Sequence, residues 1–226
     1  MSAGIPRANE YWQRLYAVQD AAAAVLRTVR HEFYLTGGTA LTRGYFAYRY
    51  SEDLDYFVND RDEFVLWRDR CIAALQHASD AKWPVEVLRR DARFGRVVLH
   101  ADVDLKIEFV NDVPCRCGTA VPHAHFGWID TLENILSNKI TALVDRAAPK
   151  DVADIFWLCC RAGLSLPAAL EGAQGKAAGI FPPLVAKRLD EMRARGVPDV
   201  MWLPDTRPST EEFSAGLEHL ITLLTE

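Results

Sequence analysis

Two carboxylates two residues apart, Asp53 and Asp55, point most directly to chemistry in this 226-residue chain. Residues i and i+2 of a strand share a face, about 7 Å apart. Acids so placed repel one another unless a cation stands between them. Mg²⁺ takes hard oxygen ligands and often shares them with substrate phosphates. Upstream, Tyr34-Leu35-Thr36 runs into Gly37-Gly38-Thr39. Two glycines between a strand and a helix let backbone approach a ligand closely. A helix start there adds unpaired N–H groups and positive dipole, which suit a phosphate. Each feature also has a plain structural use: a glycine pair is a common strand–helix turn, and an acid pair a solvated strand end or a helix cap. Together they are suited to a metal–nucleotide complex.

The elements that must position these residues follow from periodicity. Apolar residues recur at helical spacing over 8–32. A short strand over 33–36 ends at Gly37-Gly38, a helix follows from Thr39 to about Tyr48, and a strand over 54–58 carries the acid pair. A helix is expected near 62–78. After Pro84 the character becomes β, with strands over 85–88, 95–100 and 103–110. The last alternates polar and apolar residues from Asp102 to Phe109, so one face is buried and the other carries Asp102, Asp104, Lys106 and Glu108. Residues 111–128, with Pro114, Gly118, Pro122 and Gly127, read as a long loop. From Asp130 onward the chain reads as helical, with helices near 166–174, 182–194 and 209–224 and Pro149 suited to a first helical turn. The fold class is therefore α+β. Residues 1–112 form a mixed β-sheet domain flanked by helices, 113–129 a loop, and 130–226 a C-terminal helical bundle.

Composition narrows the function classes. Half of the chain is apolar and its net charge is −5. That argues against a DNA-coating protein, which needs many Lys and Arg contacts to phosphates. Two local basic clusters remain, Arg89/Arg90/Arg93/Arg96 and Lys187/Arg188/Arg193/Arg195. No uncharged apolar run approaches the ~20 residues of a membrane span. The first ten residues carry no secretory pattern, and five cysteines form no disulfide framework, so a cytoplasmic protein is expected. Cys115-x-Cys117 and His123-x-His125 offer zinc-type ligands, but at one-residue separations that strain joint ligation. An Asp-x-Asp after a strand also occurs in aspartyl-phosphate hydrolases, where Thr normally follows; here Tyr56 does.

The Gly37-Gly38 turn, the gap that follows it and Asp53-x-Asp55 resemble the signature of the polymerase-β-like nucleotidyltransferase superfamily. The fuller string, Gly37-Gly38-Thr39-x-Leu41 and then Arg49-x-Ser51-x-Asp53-x-Asp55, looks like its AbiEii/AbiGii-type toxin branch. A second block, Lys139-x-x-Ala142-x-x-x-Arg146 with Lys150-Asp151-x-x-Asp154, is similar to that branch's helices. The resemblance spans residues 33 to about 158.

The resemblance implies a nucleotidyltransferase-like fold and transfer of an NMP from an NTP to a hydroxyl, with release of pyrophosphate. It implies Mg²⁺, normally two ions with Mn²⁺ as an alternative, held by Asp53, Asp55 and a third acid on a neighbouring strand. Glu108 of Lys106-Ile107-Glu108 is the best match, with Asp104 in reserve; the superfamily more often uses Asp there. Gly37, Gly38, Thr39, Ser51 and Asp151 would bind the nucleotide, and Lys139 would offset phosphate charge. Arg49 would orient the acidic segment or reach a phosphate, or else form a salt bridge to Glu52 or Asp53. Lys139 and Arg146 share one helical face, which is otherwise simply solvated. The acceptor implied is RNA, with a tRNA 3′ end as the leading candidate, beside a cognate antitoxin. A small-molecule acceptor and a module that only binds nucleotide or a partner are the alternatives.

Overall fold

The computed structural model describes residues 5–79 and 83–225, with backbone only for 5–8 and 79. The chain divides into two compact units, each discontinuous in sequence. One comprises the segments up to residue 40, 51–112 and 120–129; the other comprises 41–50, 113–119 and 130 onward.

The first unit contains α1 (Ile5–Leu26), β1 (Tyr34–Thr36), α2 (Gly37–Thr39), β2 (Leu54–Asn59), α3 (Phe64–Ser79), β3 (Val85–Arg90), β4 (Phe94–Leu99), β5 (Leu105–Asp112), β6 (Val121–His123) and β7 (Gly127–Ile129). The strands form one mixed sheet in the order β3-β4-β5-β2-β1-β7-β6. β2 runs parallel to β5 and antiparallel to β1, and β4 runs antiparallel to both β5 and β3. Strict alternation sends Leu54, Tyr56 and Val58 of β2 to one face, with Leu105, Ile107 and Phe109 of β5 and Val97 and Leu99 of β4. That face is the core. Tyr56 stacks on Phe109, and Phe33 meets Phe64, Trp67 and Phe109.

Two local differences from the sequence expectation have simple causes. α1 stops at Leu26 rather than near 32. The Thr28 hydroxyl bonds back to the Val25 carbonyl, and the β-branched Thr28 and Val29 favour leaving the helix. The expected loop over 111–128 carries β6 and β7, an antiparallel hairpin whose Leu35–Ile129 pairing joins it to β1. Strands of three residues are too short for alternation to reveal them.

The second unit holds all but the first residue of the π-helical turns Ala40–Tyr45, and five helices: α4 (Leu132–Asp145), α5 (Pro149–Phe156), α6 (Leu166–Gln174), α7 (Pro182–Arg195) and α8 (Thr210–Thr225). α5 continues into π-helical turns over Trp157–Arg161. Thr131 caps α4 by accepting from the Asn134 N–H, Ser165 caps α6 by accepting from Ala168, and Pro149 opens α5. The core of this unit comprises Ile135, Leu136, Ile140 and Leu143 of α4 with Ile155, Phe156, Leu189, Phe213 and Leu217. Among the described residues no helix is long and apolar enough to cross a membrane.

Candidate active site

The parallel register of β2 and β5 sets Asp55 opposite Glu108. Because Tyr56 and Ile107 point into the core, Asp55, Lys106 and Glu108 stand together on the other face. Asp53 immediately precedes β2 and joins them. The Lys106 ammonium lies 2.9 Å from Asp53 Oδ2 and 3.3 Å from Glu108 Oε1. Arg96, opposite Glu108 on β4, lies 2.8 Å from the same Oε1. Partial burial works to lower the Lys106 pKa, but Asp53, Glu108 and Asp55 outweigh it and hold the ammonium above its ordinary value. Asp104 stands outside this group and pairs with His100 at 3.1 Å.

The Gly37 turn meets the acids directly. Thr36 is in register with Asp55, and the next residue, Gly37, has φ +68°, which strains any side-chain-bearing residue. A Cβ at Gly37 would stand 2.7 Å from Asp55 Oδ2. Glycine is thus required here twice, by its backbone angle and by the carboxylate beside it. The buried Thr39 hydroxyl donates to the Asp53 carbonyl and lies 3.0 Å from Ser51 Oγ. Gln19 of α1 donates to the carbonyls of Ser51 and Glu52, at 3.1 and 2.9 Å. Thr39 and Ser51, expected at the nucleotide, thus also clamp the segment that delivers Asp53. Gln19 and Lys106 were not foreseen as parts of the site. Lys106 was signalled by the same alternation that placed Glu108 outward, whereas Gln19 had no local signal.

The donor set suits a hard divalent cation: carboxylate oxygens beside a turn kept bare by glycine. Among the described residues, however, no three His, Cys, Asp or Glu side chains already converge as a metal cage. Asp53 and Glu108 converge on the Lys106 ammonium, an internal cation.

The other expected residues lie in the second unit. Asp154 of α5 is fully buried and accepts from two of the three nitrogens of the Arg49 guanidinium, Nε and Nη2, at 2.6 and 2.8 Å, from the Lys139 ammonium at 2.7 Å, and from the Tyr48 hydroxyl. Asp151, also fully buried, takes Lys139 at 3.0 Å and the half-exposed Arg146 at 2.8 Å. Arg49 therefore pairs with Asp154, not with Glu52 or Asp53. Burial alone would raise both aspartate pKa values, but the surrounding cations reverse it. Arg49 and Lys139 hold Asp154 far below the carboxylate range; Lys139 and Arg146 hold Asp151 below it. Burial works to lower the Arg49 pKa, and the Asp154 carboxylate overrides it and raises it.

The cysteines and histidines of the 111–128 stretch have other partners. A Cβ at Gly175 would collide with Cys115 Sγ, and one at Gly172 with Cys117 Sγ, so both thiols pack against α6. His123 Nδ1 accepts the N–H groups of His125 and Phe126, each at 3.3 Å.

A family profile described as "Nucleotidyl transferase AbiEii toxin, Type IV TA system" matches residues 21–219. The chain belongs to the AbiEii nucleotidyltransferase toxin family. This AbiEii-family chain is accordingly a nucleotidyltransferase, using an NTP and releasing pyrophosphate. No curated protein sequence matches it. Solved structures share its fold. A candidate nucleotidyltransferase from H. pylori has a TM-score of 0.64 at 18% identity, covering 94% of each chain. JHP933 from Helicobacter pylori has 0.58 at 19%, covering 94% of this chain and 91% of the other. MenT4, a nucleotidyltransferase toxin from Mycobacterium tuberculosis, has 0.62 at 16%, covering 96% of this chain and 84% of the other.

Proposed function

We propose that this enzyme uses Mg²⁺, or Mn²⁺ in its place, to transfer an NMP to a hydroxyl of RNA, with a tRNA 3′ end as the leading acceptor, and that a cognate antitoxin restrains it in the cytoplasm. The observation that carries the metal–nucleotide part is the contact between Gly37 and Asp55: a phosphate-type turn and a strand carboxylate meet where no side chain fits. The RNA and antitoxin parts rest on the family's toxin character.

In this reading Asp53 and Asp55 present oxygens to a divalent ion beside the triphosphate. Such an ion, when bound, neutralises charge on the phosphoryl oxygens and on the departing pyrophosphate. The backbone N–H groups of Gly37, Gly38 and Thr39 face the β- and γ-phosphates, and the Thr39–Ser51 clamp keeps Asp53 in place. Glu108 is the third carboxylate of the face and is assigned the proton of the attacking hydroxyl. Lys139 is carried over from the family motif as a cation for phosphate charge; within the second unit it is paired with Asp151 and Asp154. Arg49 fixes Asp154 within the second unit.

The test uses purified protein, Mg²⁺ and each α-³²P-labelled NTP. Total RNA is one acceptor, an aminoglycoside and lincosamide panel another, and Asp55→Asn the control. Label on a tRNA-sized band, absent with the variant, supports the proposal. Label on a small molecule replaces the acceptor, and transfer undiminished in Asp55→Asn refutes the site.

A further inference from the structure

The acid face contains a cation of its own. Lys106 reaches Asp53 on one side and Glu108 on the other, while Glu108 Oε1 also receives Arg96. Arg96, Lys106 and Glu108 issue from the adjacent strands β4 and β5, and Asp53 from the residue just before β2; the register of these strands is fixed by core residues between them, Leu54, Ile107 and Val97. Lys106 sits two residues before Glu108 on β5, so its stem leaves the same face of the sheet. Its side chain is about one-third exposed and that of Glu108 less than one-fifth, so the pairing is partly shielded from water. An ammonium and a divalent ion compete for the same carboxylate oxygens, because each needs them for charge and for ligation. Glu108 has two cations on one oxygen, whereas Asp55 faces the Gly37 turn on the far side of that pair.

We propose that Lys106 is a resident counter-cation standing in for one of the two metal ions, so that Asp53 and Asp55 hold a single divalent ion and Glu108 positions Lys106 rather than ligating metal. This rests on the metal reading given above and changes its count. Two metals normally divide the labour between the attacking hydroxyl and the leaving pyrophosphate. Here a fixed ammonium supplies the positive charge on the Glu108 side. Lys106 is thereby a positioning residue and the Glu108–Arg96 pair its anchor.

The experiment counts Mn²⁺ bound per folded chain by electron paramagnetic resonance, without nucleotide, so that no turnover is read. Wild type is expected to bind one ion, and Lys106→Gln two, or one at least tenfold more tightly. Lys106→Arg, which keeps the charge, is expected to bind as wild type does. Glu108→Gln is expected to keep its single ion, and Asp55→Asn to lose it. Two ions on wild type that fall to one in Glu108→Gln would overturn the inference while leaving the metal reading intact. So would a Lys106→Gln protein indistinguishable from wild type while Asp55→Asn still loses its ion. Absence of binding in every variant would overturn both.

Discussion

Replacing Asp154 with asparagine tests whether the buried cluster of the second unit is a source of stability. The substitution preserves shape and removes one charge. Arg49 and Lys139, both nearly inaccessible to water, would then share a neutral amide where they now share a carboxylate with bonds of 2.6 to 2.8 Å. Asp151 would still offset Lys139, but Arg49 would be left buried without its anion. Breaking one partner of a buried ion pair costs about 3–5 kcal/mol, because the remaining charge stays desolvated. Chemical denaturation read by far-UV circular dichroism should report a loss of that size. Arg146→Ala, which removes an arginine half open to solvent, should cost no more than about 1 kcal/mol. The acid dependence has a definite sign. The folded pKa of Asp154 lies below its unfolded value, so its contribution is fully present above the ordinary carboxylate range. It declines only as pH falls through that range toward the folded pKa. Wild type should therefore lose stability steeply below about pH 4, and Asp154→Asn should show a shallower slope there. A variant within about 1 kcal/mol of wild type, with an unchanged acid slope, would refute the reasoning.

Gly37→Ala should be impaired twice over: the φ of +68° costs about 1–2 kcal/mol for an L-residue, and the new methyl presses on Asp55. Nucleotide transfer should fall by at least tenfold more than in Gly163→Ala, whose backbone angle is similar but whose added Cβ meets nothing within 4 Å. Gly172→Ala should destabilise the second unit by about 1–3 kcal/mol through overpacking, since its Cβ would collide with Cys117 Sγ and lie 3.0 Å from Ser137 Oγ. Cys117→Ala should restore part of that loss in the double variant, as measured by urea unfolding.

Much of the scaffold is legible in the sequence. Alternation over 102–109 located β5, its buried face and its outward Lys106 and Glu108, because a strand's period is written in consecutive residues. The Gly37-Gly38 turn and the outward Asp55 were readable for the same reason. The hairpin of β6 and β7 was not, since three-residue strands carry no period and are held by pairing to β1 and to each other. Gln19 gave no local sign of its bonds to Ser51 and Glu52, which lie more than thirty residues away.

Residue types and spacing alone thus determined which side chains share a face of one strand or helix, and which family the motifs resemble. Whether two faces meet was decided only by the tertiary structure. The parallel pairing of β2 with β5 sets Asp55 against Glu108 and puts Lys106 within reach of Asp53. Packing in the second unit brings Arg49 to Asp154 across 105 residues of sequence. Such contacts join segments distant in the chain, and their energy comes from burying apolar faces elsewhere. Strand and helix periods describe each segment singly and carry no record of its partner.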